Sequence, residues 1–317
     1  MATLGGLLED EGFDIIRVSS YKNKLIRMLH MVFATLFYKK DLVLIDTYSA
    51  QSFYYAYVTS QIARLIHKPY ITILHGGNLP QRLDQKPRLS QAIFKHALTN
   101  VAPSGYMKYE FESRGYSTTL IPNVLDLKMF KYKSRADLQP RLLWVRAFAQ
   151  FYHPTMAVRV LHKLKETYPK AELCMVGPKK DKSWEETHAL VKTLDLEKSV
   201  TFTGVMKLED WIKLSEDYDV FINTTTIDNT PLSVMEAMAL GLPVVSTNVG
   251  GLPYLVEDGL EAFLVDSGDV EAMVKAVKRL LSSSELVTSL TDKAKHKVDQ
   301  FDWSVVRQQW FKLLGKL

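Results

Sequence analysis

Apolar residues recur along this chain with two alternating spacings, one typical of strands and the other of helices. Short apolar runs at Asp41–Asp46 and Tyr70–Leu74 predict buried strands, whereas apolar residues three and four apart within Lys24–Phe37 predict a helix. Further strands are predicted at residues 13–18, 99–103, 141–148, 172–176, 200–203, 220–224, 243–247 and 262–265. Further helices are predicted at residues 3–10, 52–66, 88–97, 106–114, 155–167, 184–194, 208–216, 232–240, 270–282 and 303–314.

This alternation of apolar strands and helices predicts an α/β protein with two Rossmann-like, doubly wound parallel sheets. Ligands of such sheets bind at the carboxyl ends of the strands, and in a two-domain protein they bind in the cleft that the domains face. Weak periodicity over residues 124–140 predicts a linker. We therefore expect an N-terminal acceptor-binding domain at 1–130, a C-terminal nucleotide-sugar domain at 131–300, and a helix at 301–317 that returns to the N-terminal domain.

The composition is that of a globular protein, with 47% hydrophobic and 24% charged residues in a chain of 317. The single cysteine, Cys174, excludes a disulfide framework and a cysteine-based metal site, and it fits a reducing cytosol. No basic region precedes an apolar run at the N-terminus, so we expect no signal peptide. We expect a cytoplasmic protein, free in solution or at the inner face of the membrane.

Positive charge is concentrated in the first part of the chain. Residues 1–140 carry 18 Lys and Arg against 11 Asp and Glu, a net charge of +7, whereas residues 141–317 carry a net charge of −2. A one-sided basic surface is compatible with an anionic partner, such as membrane phospholipid or a lipid pyrophosphate, and equally with a solvated surface. The basic residues flanking Lys24–Phe37 are compatible with an interfacial helix, and an ordinary half-buried helix is the alternative. No recognition-helix or aromatic-platform pattern indicates nucleic-acid binding.

The segment from residue 219 to 251 carries the strongest chemical signal. Its pattern predicts a strand, a polar loop, a helix, a glycine stop and another strand. Thr230 is a natural N-cap, Pro231 a natural first helical residue, and Gly241 a natural terminator. The open amides at this helix start, over Asn229–Leu232, form a site for an anion such as a diphosphate.

Two acidic residues accompany that helix start. Glu236 lies about two turns into the helix, where a carboxylate can accept hydrogen bonds from both hydroxyls of a ribose. Asp228 lies in the preceding loop, where it can accept from a sugar hydroxyl. The alternative is a plain capped helix with an exposed glutamate.

The same segment resembles the signature of glycosyltransferase family 4, the retaining family of the two-domain B-type glycosyltransferase fold. That signature has two acids separated by seven residues, here Asp228 and Glu236, followed by the run 237–245, Ala-Met-Ala-Leu-Gly-Leu-Pro-Val-Val. The first acid of the family is usually glutamate, so the aspartate here leaves the sugar preference in doubt. The resemblance implies retention of anomeric configuration, no metal ion and no cofactor, with a donor such as a UDP- or GDP-hexose.

Other segments follow the order of that family. Leu173–Gly177 is similar to a strand whose glycine, Gly177, lies near the donor, and the loop containing Val205 resembles the one beside the nucleotide base. His75 resembles the family's His-Gly at a strand end, beside the transferred sugar. The resemblance also assigns Asn229, Thr230, Pro231 and Leu232 to the donor.

Two departures from the family pattern are plain. The usual Gly-Arg-x4-Lys-Gly is reduced to Arg146, a candidate ligand of the diphosphate; its lysine is missing, and His153 reads as a turn residue rather than a substitute. The first strand and Gly-rich loop of the family also have no counterpart before the helix at residues 3–10. These departures leave open a catalytically silent subunit that binds nucleotide or a partner enzyme.

The expected function is therefore transfer of a hexose from a nucleotide-diphosphate sugar to a saccharide or lipid-linked saccharide. His75, Arg146 and Asp228 are the candidate catalytic residues. The pair Asp217 and Asp219 has the spacing of a metal-binding Asp-x-Asp, but its position at a helix-to-strand junction favours a structural role. A sugar-nucleotide epimerase or a phosphorylase on the same fold is a further alternative, and no lysine-rich cofactor signature supports the phosphorylase.

Overall fold

The computed structural model describes residues 2–315, and the chain divides into two compact units. One unit is Leu125–Val305, and the other consists of the described residues on both sides of it. This division lies a few residues before the predicted boundary at residue 130. Each unit is an α/β structure built on its own sheet.

The unit containing the N-terminal residues has a four-stranded parallel sheet in the order β1-β2-β3-β4. Its strands are β1 Val43–Thr47, β2 Tyr70–Leu74, β3 Asn100–Ala102 and β4 Thr118–Leu120. Its helices before residue 125 are α1 Ala2–Asp10, α2 Lys24–Phe37, α3 Ser52–Leu65, α4 Leu79–Gln85, α5 Pro87–Phe94 and α6 Gly105–Glu112. All five residues of β2 are buried, as expected of a central strand covered by helices on both faces.

The strand predicted at residues 13–18 is wrong. Side chains alternate between half-buried and exposed over residues 13–16, but no strand of the described sheet pairs with the segment. Its backbone runs irregularly between α1 and α2, and Phe13 packs against Phe311 at a ring-centroid distance of 6.0 Å. Alternation alone therefore does not make a strand, because the backbone also needs a neighbour to supply its hydrogen bonds.

The second unit has a six-stranded parallel sheet in the order β10-β9-β8-β5-β6-β7. Its strands are β5 Arg141–Val145, β6 Glu172–Val176, β7 Val200–Gly204, β8 Val220–Asn223, β9 Val244–Thr247 and β10 Phe263–Val265. Its helices are α7 Pro154–Lys165, α8 Ser183–Thr193, α9 Leu208–Leu214, α10 Leu232–Ala239, α11 Leu252–Leu255, α12 Val270–Leu281 and α13 Ser284–Asp299. Apolar clusters pack on both faces of the sheet, and all of its carboxyl strand ends meet at one edge.

The segment from Leu125 to the start of β5, predicted as a linker, belongs to the second unit. Arg135 within it is only 5% exposed. Its guanidinium donates to the backbone oxygens of Leu240 at 2.7 Å, Ser215 at 3.1 Å and Lys133 at 3.1 Å. The segment thereby binds the carbonyl of Leu240, the C-cap residue of α10, the helix that starts at the candidate site.

A final helix, α14 Trp303–Leu314, joins the unit of the N-terminal residues from Val306 onward. Trp310 is buried there, and Arg307 donates to Glu11 at 2.9 Å. Among residues 2–315, no helix combines the length and the apolar character that crossing a membrane requires.

Replacing Arg135 tests whether this buried cation holds the second unit together. The change Arg135→Met removes charged hydrogen bonds to three carbonyls, and we expect it to lower the free energy of unfolding by about 3 kcal/mol. Urea denaturation followed by circular dichroism measures it, with the exposed Lys131→Met as the matched control. If the two variants have the same free energy of unfolding, the hydrogen bonds of the Arg135 guanidinium do not stabilise this unit.

Candidate active site at the carboxyl edge of the six-stranded sheet

The carboxyl ends of adjacent parallel strands gather most of the predicted residues at one edge of the sheet. Arg146 follows β5, Gly177 follows β6 and Val205 follows β7. The loop at residues 224–231 follows β8 and leads into α10. Because the order of the strands is β9-β8-β5-β6-β7, the loop and Arg146 are next to each other. Val205 is two strands away from β5, and its side chain is 74% exposed.

Glycine at position 177 allows the end of β5 to come close. Gly177 has a φ of +148°, and a Cβ there would lie 1.9 Å from the carbonyl oxygen of Arg146. Any side chain would therefore push the backbone of Arg146 away from β6. The sequence predicted that Gly177 lies near the donor; the structure shows that it sets the path of the Arg146 backbone.

Three consecutive threonines after β8 fasten the loop to the segment following β5. Thr224 Oγ1 donates to Tyr152 O at 2.8 Å, and the Thr225 and Thr226 hydroxyls donate to Phe151 O at 3.2 and 3.0 Å. These hydroxyls satisfy carbonyls that lie outside the sheet. The loop therefore leaves β8 on a fixed path toward α10.

Two glycines hold the other side of the loop. A Cβ on Gly250 would lie 2.1 Å from Asp228 O, and one on Gly251 would lie 1.6 Å from Asn229 O. Gly251 N donates to Asp228 O at 3.1 Å. The backbone after β9 thus touches the loop that carries the acid, which only glycine permits.

Arg146 is the centre of the polar contacts at this edge. Its guanidinium forms an ion pair with Asp228, and the two side chains are only 11% and 15% exposed. Arg146 Nε donates to Asn223 Oδ1 at 3.3 Å, and the guanidinium carbon lies 4.7 Å from the centre of the Tyr152 ring. The sequence did not predict this pair, because it assigned the two residues separately to the diphosphate and the sugar.

The network extends to the neighbouring strand. Asn223 Nδ2 donates to Ser246 Oγ at 2.9 Å, which joins β8 to β9 through buried side chains. Asp228 Oδ1 accepts from the amide of Asn229 at 2.9 Å. Asp228 therefore uses one oxygen for Arg146 and the other for the backbone, and its orientation is fixed from both sides.

α10 begins at Leu232, the residue at which this helix was predicted to begin, but its N-cap is one residue later than predicted. Pro231 occupies the N-cap with a φ of −70° and a ψ of 109° and makes no side-chain cap hydrogen bond, so the predictions of Thr230 as the N-cap and Pro231 as the first helical residue are wrong. The cause is local: the Pro231 carbonyl already accepts from Val234 and Met235 at 3.1 and 3.2 Å, so the helix begins with Leu232. The first amides of a helix have no acceptor four residues earlier, which leaves them for an anion.

Ser233, in the first turn of α10, is a residue that the sequence analysis missed. Within the described part of the chain its Oγ is buried and has no hydrogen-bond partner. A buried hydroxyl without a partner is costly unless a ligand supplies one. The sequence could have indicated Ser233, because a serine in the first turn of a candidate anion-binding helix adds a hydroxyl donor to the site.

Glu236 lies further along α10 and is half-buried. Burial raises its pKa to about 7, although the positive charge of Arg146 acts in the opposite direction. Its carboxyl group and the guanidinium therefore interact in one poorly hydrated place. The end of α10 is as predicted, with Gly241 in the left-handed conformation at a φ of +74°.

His75 belongs to the other unit, at the carboxyl end of β2. Its Nε2 lies 2.9 Å from Asp46 Oδ1, and its ring stacks on Tyr48 at a centroid distance of 5.4 Å. Asp46 and Tyr48 were missed as partners of His75, although Asp46 ends the strand predicted at residues 41–46 and Tyr48 follows it by two residues. A carboxylate on one ring nitrogen orients the imidazole and leaves Nδ1 for another group.

Two alternatives from the sequence have structural explanations. Asp219, directly before β8, accepts from Arg141 Nε at 2.7 Å and from Gln139 N at 3.3 Å, so it ties the start of β8 to β5 and to the segment before β5. Among residues 2–315, no three His, Cys, Asp or Glu side chains form a cluster suited to a metal ion. His153 is a left-handed turn residue at a φ of +47° before α7, as predicted.

Comparison with known proteins gives a family match across the second unit. The model of a family described as glycosyl transferases group 1 matches residues 128–297, more than half of the chain. An uncharacterized glycosyltransferase of Haemophilus influenzae is 30% identical over 154 residues, which cover 48% of this chain and 42% of that protein. The amylovoran biosynthesis glycosyltransferase AmsK of Erwinia amylovora is 25% identical over 273 residues, which cover 80% of this chain and 65% of that protein. The matches thus span less than two thirds of the length of these relatives.

A solved structure is similar over nearly the whole chain. The crystal structure of HepE from Anabaena in complex with UDP and glucose has a TM-score of 0.79 at 20% identity, covering 99% of this chain and 89% of that one. Likeness at this identity establishes the fold alone. The similarity to HepE confirms the predicted α/β fold with two Rossmann-like domains, the B-type glycosyltransferase fold. Membership of family 4 and the absence of a first strand stay predictions.

The raised pKa of Glu236 predicts a dependence of stability on pH. The folded protein binds this proton more tightly than the unfolded chain, whose glutamate has a pKa near 4.5. Stability contributed by the protonated form is therefore present below about pH 4.5 and is lost as the pH rises through about 7. We expect the free energy of unfolding of Glu236→Gln to exceed that of the parent at about pH 8, and this difference to be smaller at about pH 5. Urea denaturation at the two pH values measures it.

The control for this experiment is Glu209→Gln, at an exposed position of α9. Its difference from the parent should not change between the two pH values. A Glu236→Gln difference that is also constant with pH would mean that the carboxyl group is well solvated in the folded protein.

Proposed function

Because the chain belongs to the glycosyl transferases of group 1, we propose that it transfers a hexose from a nucleotide-diphosphate sugar to a saccharide or lipid-linked saccharide acceptor. The proposal includes retention of the anomeric configuration and a reaction without metal ion or cofactor. Both are implied by the resemblance to family 4 in the segment from Asp228 to Glu236.

The observation that carries the proposal is the convergence of one cation and one helix start. The guanidinium of Arg146 pairs with Asp228 directly before α10, and Glu236 lies on that helix within the range of its charge. A nucleotide diphosphate has two anionic phosphates and a ribose with two hydroxyls. The cation and the open amides suit the phosphates, and the carboxylate suits the hydroxyls.

The diphosphate is the leaving group, so its negative charge grows as its bond to the anomeric carbon breaks. The anomeric carbon exchanges that bond for one to the acceptor oxygen. Arg146, the amides of Leu232 and Ser233 in the first turn of α10 and the hydroxyl of Ser233 are proposed to stabilise the departing charge. Within the predicted range Asn229–Leu232, the Asn229 amide is already bonded to Asp228 and Pro231 has no N–H. Their positions are set before the reaction by the threonine and glycine contacts of the loop, and preorganised donors are effective in a poorly hydrated site.

The remaining assignments follow the resemblance. Glu236 is proposed to accept from the ribose, Gly177 and Val205 to line the nucleotide, and Asp228 with His75 to contact the transferred sugar. Asp228 is already bound to Arg146, so a sugar hydroxyl shares a carboxylate whose orientation is fixed.

The acceptor and the location are part of the same proposal. The basic first part of the chain fits contact with an anionic membrane surface, where lipid-linked saccharides are found. Cys174 is buried as a free thiol, which fits the reducing cytoplasm.

Donor binding is the first test. We expect calorimetry with UDP-, GDP-, ADP- and TDP-sugars to find one donor that binds, and Arg146→Gln to weaken it about tenfold to a hundredfold, because a charged hydrogen-bond donor to the diphosphate is lost. Arg159→Gln, at an exposed position of α7, is the matched control and should bind like the parent.

Hydrolysis of each donor, followed in parallel, separates an enzyme from a binding protein. Slow hydrolysis of the donor that binds supports a transferase. Binding that is never accompanied by hydrolysis or transfer would favour the catalytically silent subunit, and a protein that binds none of the four donors would contradict the proposal.

Donor affinity should depend on pH through Glu236. Only the ionised carboxylate accepts from both ribose hydroxyls, and its pKa in the free protein is about 7. A UDP-sugar has no phosphate that titrates in this range. We therefore expect the affinity to rise by up to about tenfold per pH unit below the pKa and to level off above it. The affinity of Glu236→Gln should be weaker and independent of pH, and a pH profile equal to the parent's would exclude Glu236 as the cause.

A further inference from the structure

We infer that the apolar face of α2 binds in the plane of an anionic lipid membrane. The inference extends the membrane contact of the proposed function by assigning it to one surface. That surface consists of six side chains on one side of α2, between 40% and 66% exposed, and we call it the α2 face: Leu25, Ile26, Leu29, Phe33, Leu36 and Phe37.

The six side chains form a continuous strip. At about 100° per residue they occupy roughly a third of the circumference of the helix, and no polar residue interrupts them. Phe33 and Phe37 pack against each other at a centroid distance of 4.8 Å. Exposed apolar residues are ordinary when scattered, but a contiguous strip of this kind marks an interaction surface.

The opposite side of α2 is the one protected by the protein. Ala34 and Thr35 are buried there, and Arg27 is half-buried with its Nε donating to Tyr21 O at 2.7 Å. A surface helix of a globular protein normally turns its apolar side inward. The side of α2 that faces the protein is apolar too, with Met28, Met31 and Val32 half-buried. The helix is therefore half-buried, as one interpretation of the sequence expected, and it carries a second apolar side that the protein leaves exposed.

The ends of α2 do not depend on burial of the face. Asn23 caps the start by accepting from the amides of Leu25 at 3.0 Å and Ile26 at 3.2 Å. Lys68 donates to the carbonyls of Thr35 at 3.0 Å and Tyr38 at 2.8 Å near the end. The helix is therefore formed before any partner covers the strip, as a preformed membrane-binding helix requires.

The charges around the face favour an anionic surface over a second copy of the chain. Residues 21–40 contain five Lys and Arg and no Asp or Glu. Of these, Lys40 is paired with Asp14, while Lys22, Lys24 and Lys39 are exposed at the two ends of α2. Two copies meeting through this face would bring cations against cations in either orientation, whereas anionic lipid headgroups would neutralise them.

Vesicle binding of the full chain tests the inference without any donor, so its failure would leave the transferase proposal standing. The parent should sediment with vesicles of phosphatidylcholine and phosphatidylglycerol and bind far less to phosphatidylcholine alone. The change Leu29→Ser with Phe33→Ser should lower the partition coefficient by at least about tenfold, because two apolar anchors are lost. Replacing Lys22, Lys24 and Lys39 by Gln should lower binding to the anionic vesicles by about tenfold.

The matched control is Tyr109→Ser with Leu120→Ser, which also removes one aromatic residue and one leucine. Tyr109 lies on α6 and is 62% exposed. Leu120 is 45% exposed and lies on β4, at the opposite edge of the sheet from β1. The control should bind vesicles like the parent, and both double variants should keep the parent's circular dichroism. A parent that stays in the supernatant with both vesicles overturns the inference. Analytical ultracentrifugation tests the other occupant, a second copy of the chain. A concentration-dependent dimer that is abolished by Leu29→Ser with Phe33→Ser would overturn the membrane inference, because the α2 face would then bind another copy.

Discussion

The ion pair between Arg146 and Asp228 is the interaction on which the geometry of the site depends, because it ties the end of β5 to the loop after β8. Both side chains are largely shielded from solvent, so each charge has lost most of its hydration and relies on the other. The close contacts at Gly177 and Gly250 bring the two backbones into place. Small side-chain changes at either glycine would therefore act on the charges through the backbone.

The same pair sets the electrostatic state of the helix start. Near pH 7, Glu236 is only partly ionised, so its charge and that of Asp228 are balanced to a large extent by Arg146. An entering dianion upsets this balance, since it competes with Asp228 for the guanidinium. Donors without net charge, namely the first amides of α10 and the Ser233 hydroxyl, do not share that conflict. They are suited to holding the dianion while Arg146 shifts between partners.

How far the sequence predicts this structure depends on the range of the interactions. The bounds of Lys24–Phe37 and Tyr70–Leu74 are those predicted, because local periodicity decides them. Burial alternates over residues 13–16 too, but pairing with a distant strand decides whether alternation becomes a strand. In the site, motif order predicted the helix start, whereas the pairing of Arg146 and Asp228, 82 residues apart, follows only from the strand order. The roles of the site residues stay predictions.

The α2 face shows what periodicity leaves undecided. A strip of apolar residues three and four apart has the same pattern whether the protein, a membrane or another chain covers it. The deciding information lies on the other side of the helix, where Thr35 and Ala34 are small enough to pack closely against the protein. Since Asn23 and Lys68 satisfy backbone groups at the two ends, the helix has no need of the strip for its own stability. An apolar surface that the fold does not use, with cations at both ends, is best explained by what it binds.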